Sequence, residues 1–172
     1  MSSAEIKNYT EFTLPSNIVN KVDISRMVRE FEALDNALTT QTVRKKAGGE
    51  SEATPAQSPQ LSGFLEVNPV DLENTGARSA YIKQLRLLKD HVHVMNMTFA
   101  VVADPESLQQ LCAWIRESVH PQTVIEAHLQ PALVAGVYLR TTNHVFDLSV
   151  RNALKSKRGD LEKELGALRG WR

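Results

Sequence analysis

The clearest pattern of hydrophobic and polar positions lies between residues 123 and 154. Side chains within Thr123–Leu129 alternate between two faces, and one face carries Thr123, Ile125, Ala127 and Leu129. This period of two predicts a strand with one buried face. Residues 134–139 are apolar on both faces and predict a central strand, in which Gly136 indicates a bulge or a close backbone approach. Residues 145–146 predict a short third strand that pairs back.

The segments on either side of these strands also have regular spacing. A helix is predicted to begin near Val150, because the side-chain oxygens of Asp147 and Ser149 can each accept a backbone N–H at a helix start. Upstream, residues 95–102 alternate as a strand, and residues 105–119 carry the apolar spacing of a helix that begins with proline. Helices and strands therefore alternate along this part of the chain.

A further helix is predicted from residue 77 to residue 92, with Tyr81 and Leu85 on its apolar face and Arg78 on its polar face. The order helix, strand, helix, strand, strand, helix predicts an α+β fold. We expect a small C-terminal domain over residues 61–172, in which helices cover a short mixed or antiparallel sheet and the terminal helices are basic.

Residues 23–40 predict an isolated amphipathic helix that Asp23 caps, within an N-terminal segment of residues 1–43. Its apolar stripe is formed by Ile24, Met27, Phe31, Leu34 and Leu38. A single short helix cannot bury its own stripe, so two interpretations stay open. The helix packs on the C-terminal domain of the same chain, or it binds a partner or a second copy. Residues 44–60, which are rich in Gly, Ser, Pro and charge, predict a flexible linker.

The last part of the chain is basic and carries regularly spaced leucines. Residues 149–172 contain seven Lys or Arg against three Asp or Glu, a net charge of +4. Asp160 is placed to cap a second short helix. The apolar stripe of the terminal helices is formed by Leu154, Leu161, Leu165 and Leu168. This pattern predicts an element that binds a partner; the alternative is that the stripe folds back on the sheet.

Composition narrows the class of protein without identifying a function. The chain is 42% hydrophobic and 23% charged, which is typical of a globular protein. Its 20 basic and 20 acidic residues cancel, so no overall field favours nucleic acid or a membrane surface. We expect a soluble protein without a signal peptide or direct membrane insertion, because no apolar run approaches the length of a membrane span. One cysteine, Cys112, excludes an internal disulfide.

Motifs for catalysis or cofactor binding are not predicted. His91 and His93 lie two residues apart, but a metal site needs a third ligand, and two ordinary histidines are the simpler interpretation. Cys112 lies on an apolar stripe, where a small buried hydrophobic residue is expected rather than a nucleophile. No glycine-rich phosphate loop or serine-nucleophile motif is present. The sequence predicts no catalytic, cofactor-binding or metal-binding residue and no cofactor.

The sequence QPALVAGV, which begins at Gln130, and the DLSVR element that follows resemble the C-terminal signature of a known family. This family comprises the δ subunits of rotary ATP synthases and the related oligomycin sensitivity-conferring protein. The matching motif positions are Pro131, Gly136, Arg140, Asp147, Ser149 and Arg151. The sequence departs from the family pattern at Ala135, at residues 142–143 and at Leu148. The resemblance covers the last two-fifths of the chain most closely.

The resemblance implies a non-catalytic peripheral-stalk, or stator, subunit of the proton-translocating ATP synthase. Such a subunit links the catalytic head to the membrane sector at the cytoplasmic face of the cell membrane during ATP synthesis. In the family, the C-terminal domain holds the C-terminal ends of the b subunits, and an N-terminal bundle of six helices grips the α subunits. The implied partners are therefore the b subunits and the α and β subunits of the head.

The N-terminal region is too short for six helices, which suggests two hypotheses about contacts. The helix at residues 23–40 replaces the bundle and binds the head through its apolar stripe, and the leucines of the terminal helices bind the b subunits. Two other classes of protein stay open as alternatives. One is a free-standing protein-interaction adaptor of another complex with the same fold, and the other is a small enzyme that binds a metal ion at His91 and His93.

Overall fold

A computed structural model of the chain describes residues 7–48, 56–141 and 143–169. Within these residues the elements are α1 (Lys21–Lys46), α2 (Pro59–Val67), α3 (Thr75–His91), β1 (His93–Phe99), α4 (Pro105–Ser118), β2 (Thr123–Leu129), β3 (Gly136–Arg140), β4 (Val145–Ser149), α5 (Val150–Ser156) and α6 (Arg158–Arg169). Short 3₁₀ turns occupy Tyr9–Glu11 and Pro131–Leu133. The predicted α+β fold class is confirmed, because these helices accompany a four-stranded mixed sheet.

The strands lie in the order β2, β1, β3, β4. β3 pairs antiparallel with β1 on one side, where Thr98 is opposite Tyr138, and with β4 on the other, where Gly136 is opposite Ser149. The prediction that β3 lies inside the sheet is therefore confirmed. The strand begins at Gly136 rather than at Val134, because the backbone of Val134 has a positive φ and cannot continue a ladder.

The chain forms two compact units. The first consists of the described residues of Met1–Val94 together with Glu106–Val124, and the second of Met95–Pro105 with those of Ile125–Arg172. This arrangement differs from the predicted division into residues 1–43, 44–60 and 61–172, because α1 belongs to the same unit as α2, α3 and α4. Residues 49–55 of the predicted linker lie outside the described residues, and its two ends are helical at Lys46 and Pro59.

The first unit is built around the apolar face of α1. Phe31 is fully buried, as are the side chains that precede and follow it on the predicted stripe, and only Leu38 is partly exposed. This stripe packs against α2 and α3 and forms part of the hydrophobic core of the chain itself. The structure thereby corrects the hypothesis that the side chains of Ile24, Met27, Phe31, Leu34 and Leu38 contact the head, since buried side chains offer no surface to a partner.

The start of α1 also differs from its prediction. Asn20, rather than Asp23, is the N-cap residue: its side chain accepts the N–H of Asp23 at 2.9 Å. The carboxylate of Asp23 in turn accepts the N–H of Asn20 at 3.1 Å, which completes a capping box. The helix therefore begins two residues earlier than predicted and runs on to Lys46.

Polar side chains attach the segment that precedes α1 to the rest of the first unit. The amide of Gln122 donates to the carbonyls of Tyr9 and Phe12, and Asn68 bonds both backbone groups of Thr13. These contacts satisfy backbone groups that have no partner in a helix or strand. Phe12 is consequently held inside the aromatic part of the core, with its ring centroid 5.6 Å from that of Phe64.

Arg116 of α4 is a second point of attachment for the same segment. Its guanidinium donates to the carbonyls of Pro15 and Ile18, and also to the carbonyl of Thr123 at the start of β2. Burial lowers the pKa of Arg116 from its ordinary value. One side chain therefore joins the N-terminal segment, α4 and β2.

β2 departs from the predicted alternation between a buried and an exposed face. Thr123, Val124 and Ile125 are buried in succession, whereas Ala127 and Leu129 of the predicted buried face are exposed. The cause lies at the start of the strand, where Val124 belongs to the helical core and the carbonyl of Thr123 is held by α4. Burial thus changes along the length of the strand rather than across it.

Candidate partner-binding surface

The second unit carries all six predicted motif residues, and hydrogen bonds fix the arrangement of Asp147 and Ser149. Ser149 caps α5, as predicted, because its Oγ accepts the N–H of Asn152 at 3.2 Å. Asp147 Oδ1 accepts the N–H of Ser149 at 3.0 Å, and hydrogen bonds from Ser149 hold the pKa of this carboxyl below its usual value. The side chain of Asn152 donates back to the carbonyl of Asp147 at 3.0 Å. These bonds fix the junction between β4 and α5.

Gly136 allows β3 to lie unusually close to the end of β4. Its φ is +97°, and a Cβ atom added there would come within 2.5 Å of the carbonyl oxygen of Leu148. The close backbone approach predicted for this glycine is therefore confirmed. Ala135, which precedes it, accepts the N–H of Val150 at 3.1 Å, so the same approach ties the loop before β3 to the start of α5.

The loop before β3 contains a strained residue. Val134 has φ of 64° and ψ of −56°, and a tight turn around it is closed by a 2.7 Å hydrogen bond from the N–H of Ala135 to the carbonyl of Leu133. A positive φ is rare for a β-branched residue, and strain of this kind concentrates at functional sites. The side chain of Val134 is 83% exposed, so the described part of the chain leaves it largely uncovered.

This loop and the β4–α5 junction enclose a pocket of about 360 Å³. Its lining residues are Gln130, Ala132, Leu133, Tyr138, Asp147, Ser149 and Arg151. Three of the predicted motif residues, Asp147, Ser149 and Arg151, are thus brought together at one concave site. Pro131 begins the 3₁₀ turn beside the pocket, whereas Arg140 lies at the opposite end of β3, across from Val145.

The C-terminal helices expose their apolar residues. No residue of α5 is buried, and none is buried among the described side chains of α6. Leu154 is 58% exposed and Leu165 61% exposed. The backbone of Leu161 and Leu168 is helical, but the side chains of both lie outside the described residues. β4 continues this surface with exposed Phe146 and Leu148.

A second concave site lies on the outer face of α1, in the first unit. It has a volume of about 350 Å³ and is lined by Val22, Arg26, Arg29, Glu30 and Ala33. Sequence analysis did not identify this site because its residues lie on the polar face of the amphipathic helix. Similarly, Gln130 and Tyr138 of the first pocket were missed, since one lies in a proline-containing turn and the other in a strand that is apolar on both faces.

His91 and His93, which are close in the sequence, lie beside different aromatic rings. His91 ends α3, with its ring 5.3 Å from that of Tyr9, whereas His93 begins β1 and lies 4.1 Å from the ring of His120. The part of the chain that the structure describes contains no group of three or more potential metal ligands. Likewise, none of its described helices is both long and apolar enough to cross a membrane.

Exposed large apolar side chains such as those of Leu154 and Leu165 are characteristic of a surface that binds another protein. Residues 75–161, about half of the chain, match the family described as ATP synthase delta (OSCP) subunit, and the chain belongs to this family. The match runs from the start of α3 into α6. Members of the family are structural, non-catalytic subunits of the peripheral stalk of ATP synthase. No curated protein sequence matches the chain.

Proposed function

We propose that the chain is the stator subunit that links the catalytic head of a proton-translocating ATP synthase to its membrane sector, and that α5 and α6 bind the C-terminal ends of the b subunits. The observation that carries the proposal is the exposure of these helices, whose Leu154 and Leu165 have no cover within the described chain. Exposed apolar residues on two successive helices support a protein–protein contact.

Charge supports the same assignment. Arg151, Lys155, Lys157 and Arg158 are exposed beside Leu154, and residues 149–172 carry seven basic against three acidic residues. Complementary charge steers a partner into place and rejects partners of the wrong sign. We therefore expect the bound segment to be an amphipathic helix with acidic residues beside its apolar stripe.

The contact with the head is assigned to the outer face of α1, because its inner face is buried. The groove beside Ala33 combines the small apolar side chains of Val22 and Ala33 with the exposed guanidinium groups of Arg26 and Arg29. A segment of the α or β subunits of the head would occupy this groove. Two weak contacts on separate elements of one chain raise the overall avidity through effective concentration.

Binding assays with purified components test the proposal. The full chain is mixed separately with the isolated catalytic head and with the soluble part of the b subunit. The double variant Leu154→Asp/Leu165→Asp should lose b binding and keep head binding, whereas Arg26→Glu/Arg29→Glu should do the opposite. Val43→Asp, which changes an exposed residue of α1 outside the groove, is the matched control and should keep both. The proposal fails if the unaltered chain binds neither component, or if the leucine variant retains b at the unaltered level.

A further inference from the structure

Three residues that line the pocket between the β3 loop and α5 have polar side chains without a partner in the described part of the chain. These are Gln130, Tyr138 and Arg151, whose amide, hydroxyl and guanidinium form no hydrogen bond or ion pair with another described residue. Pockets in which a few polar groups converge on one space, with apolar walls around them, are typical of binding sites. Here the apolar wall is supplied by Ala132 and Leu133.

The charges in the pocket are not equally available. The carboxylate of Asp147 is engaged by Ser149, whose N–H lies 3.0 Å from it. The guanidinium of Arg151 is exposed and has no ion-pair partner among the described residues, and the terminal segment around it is basic. The hydrogen-bond donors that remain available in the pocket are therefore a guanidinium, a hydroxyl and an amide, whereas the ionised carboxylate of Asp147 opposes a second negative charge close to it. A carboxylate fits this set, because a guanidinium binds both of its oxygens through parallel hydrogen bonds.

Exposed apolar residues next to the lining residues in the sequence lie on the loop before β3 and on α5, namely Val134, Val150 and Leu154. Val134 projects from the strained turn, and the N–H of Val150 bonds the carbonyl of Ala135, which brings this turn beside the start of α5. Leu154 lies one helical turn beyond Val150, on the same face of α5. Arginine is enriched at interface hot spots, where neighbouring contacts exclude water once the partner is bound.

We propose that this pocket receives the carboxylate of a glutamate or aspartate side chain from the helical segment that binds α5 and α6. Arg151 forms the ion pair, Tyr138 and Gln130 orient the carboxylate, and the bound segment covers the exposed side chains of Val134, Val150 and Leu154. This inference rests on the proposed function, since it names the chemical anchor of the same contact. It makes the contact dependent on one arginine among several nearby basic residues.

Affinity measurements on the full chain with the soluble part of the b subunit test the proposal in 0.15 M salt. Arg151→Ala should weaken binding by about tenfold or more, because truncation leaves a desolvated carboxylate unpaired. Arg151→Lys should recover only part of the loss, since an ammonium cannot form the two parallel bonds. Tyr138→Phe, which removes one hydroxyl, should weaken binding by about threefold to tenfold. Lys157→Ala is the matched control and should change affinity by about threefold or less.

The outcomes separate the two proposals. If the unaltered chain does not bind the b fragment, the proposed function fails. If it binds, but Arg151→Ala and Lys157→Ala have equal effects, the pocket inference is overturned while the proposed function stands. A scan of the b fragment, in which each acidic residue is changed to its amide, should find one position at which the loss is not additive with that of Arg151→Ala. Additivity at every acidic position would also overturn the inference.

Discussion

The guanidinium Nε of Arg78 lies 2.5 Å from Oδ1 of Asp35, and this ion pair joins α3 to α1 within the helical core of the first unit. Arg78 is only 2% exposed. It also donates to the carbonyl of Leu72 and to the hydroxyls of Thr39 and Thr75. A buried charge is tolerated only when its donors are satisfied in this way. The polar edge of α1 is therefore also attached to the core, through this ion pair.

Removal of the carboxylate from this pair should destabilise the fold. Asp35→Ala leaves a buried guanidinium without its counter-ion, and we expect the free energy of unfolding to fall by about 3 kcal/mol. Glu32→Ala on the same helix is the control, because Glu32 pairs with Arg86, whose side chain is 60% exposed. Glu32→Ala should lower the free energy of unfolding by less than about 1 kcal/mol. Urea denaturation measures both, and equal losses would contradict the structural role of Arg78.

The buried position of Phe31 predicts a loss of stability rather than a specific loss of binding. Phe31→Ala removes a fully buried ring that lies 5.1 Å from the ring of Tyr81, and should lower the free energy of unfolding by about 3–5 kcal/mol. Val22→Ala, at an exposed position of the same helix, should change it by less than about 0.5 kcal/mol. Thermal unfolding followed by circular dichroism checks both. A stable Phe31→Ala variant that no longer binds the head would restore the partner-binding hypothesis for this stripe.

Gly136 should not tolerate a side chain. Gly136→Ala places a Cβ against the carbonyl oxygen of Leu148 and forces alanine into a positive φ. We therefore expect the free energy of unfolding to fall by about 2 kcal/mol or more. Gly166→Ala is the contrasting change, because nothing lies within 4 Å of a Cβ atom there and the position is helical. Alanine should strengthen α6 by up to about 1 kcal/mol. Hydrogen exchange at β3, β4 and α6 would reveal these opposite effects, and equal protection in both variants would contradict them.

The fold should lose stability in mild acid because of His120. Its Nδ1 accepts the N–H of Gln122 at 3.1 Å, which requires a neutral ring. Partial burial, and secondarily the charge of His93, lower the pKa of His120 below 6.5. The unfolded chain then binds a proton more readily than the folded chain. The contribution of His120 to the free energy of unfolding is therefore complete above about pH 6.5 and decreases as the pH falls below that value. Midpoints of urea unfolding at pH 7.5 and 5.5 measure the effect.

A matched pair of variants isolates this histidine. His120→Gln should reduce the difference between the two midpoints, whereas His144→Gln, at an exposed position near the β3–β4 turn, should leave it unchanged. Other groups contribute to the total pH dependence, and the comparison removes them because they are common to both variants. An identical pH dependence in both variants would show that His120 does not couple protonation to folding.

Local features were predictable from sequence because neighbouring residues determine them. The bounds of β2, the proline at the start of α4 and the cap at Ser149 each depend on residues only a few positions apart. The burial of Arg78 depends instead on Asp35, which is 43 positions away. The position of Arg78 in the sequence did indicate its burial, since it lies three residues before the buried Tyr81 and therefore on the same face of α3.

The candidate site was only partly predictable, for the same reason. Asp147, Ser149 and Arg151 follow one another closely in the sequence, and the family signature already grouped them. Tyr138 joins them because β3 pairs with β4, which places it opposite Asp147, and Gln130 joins them from the turn before β3. A pattern of apolar residues does not specify which side chains a strand pairing brings together. The attachment of the N-terminal segment by Gln122 and Arg116 was equally inaccessible, since these partners are about a hundred residues away in the chain.

The burial of the inner face of α1 means that its peptide connection to α2 is not what keeps the two helices together. A chain cut between Gly48 and Ala56 would retain the whole apolar interface and the pair between Asp35 and Arg78. Two fragments produced separately should therefore recognise each other in solution and restore one folded unit. α1 would then join the first unit through side-chain contacts alone, without a peptide connection to α2.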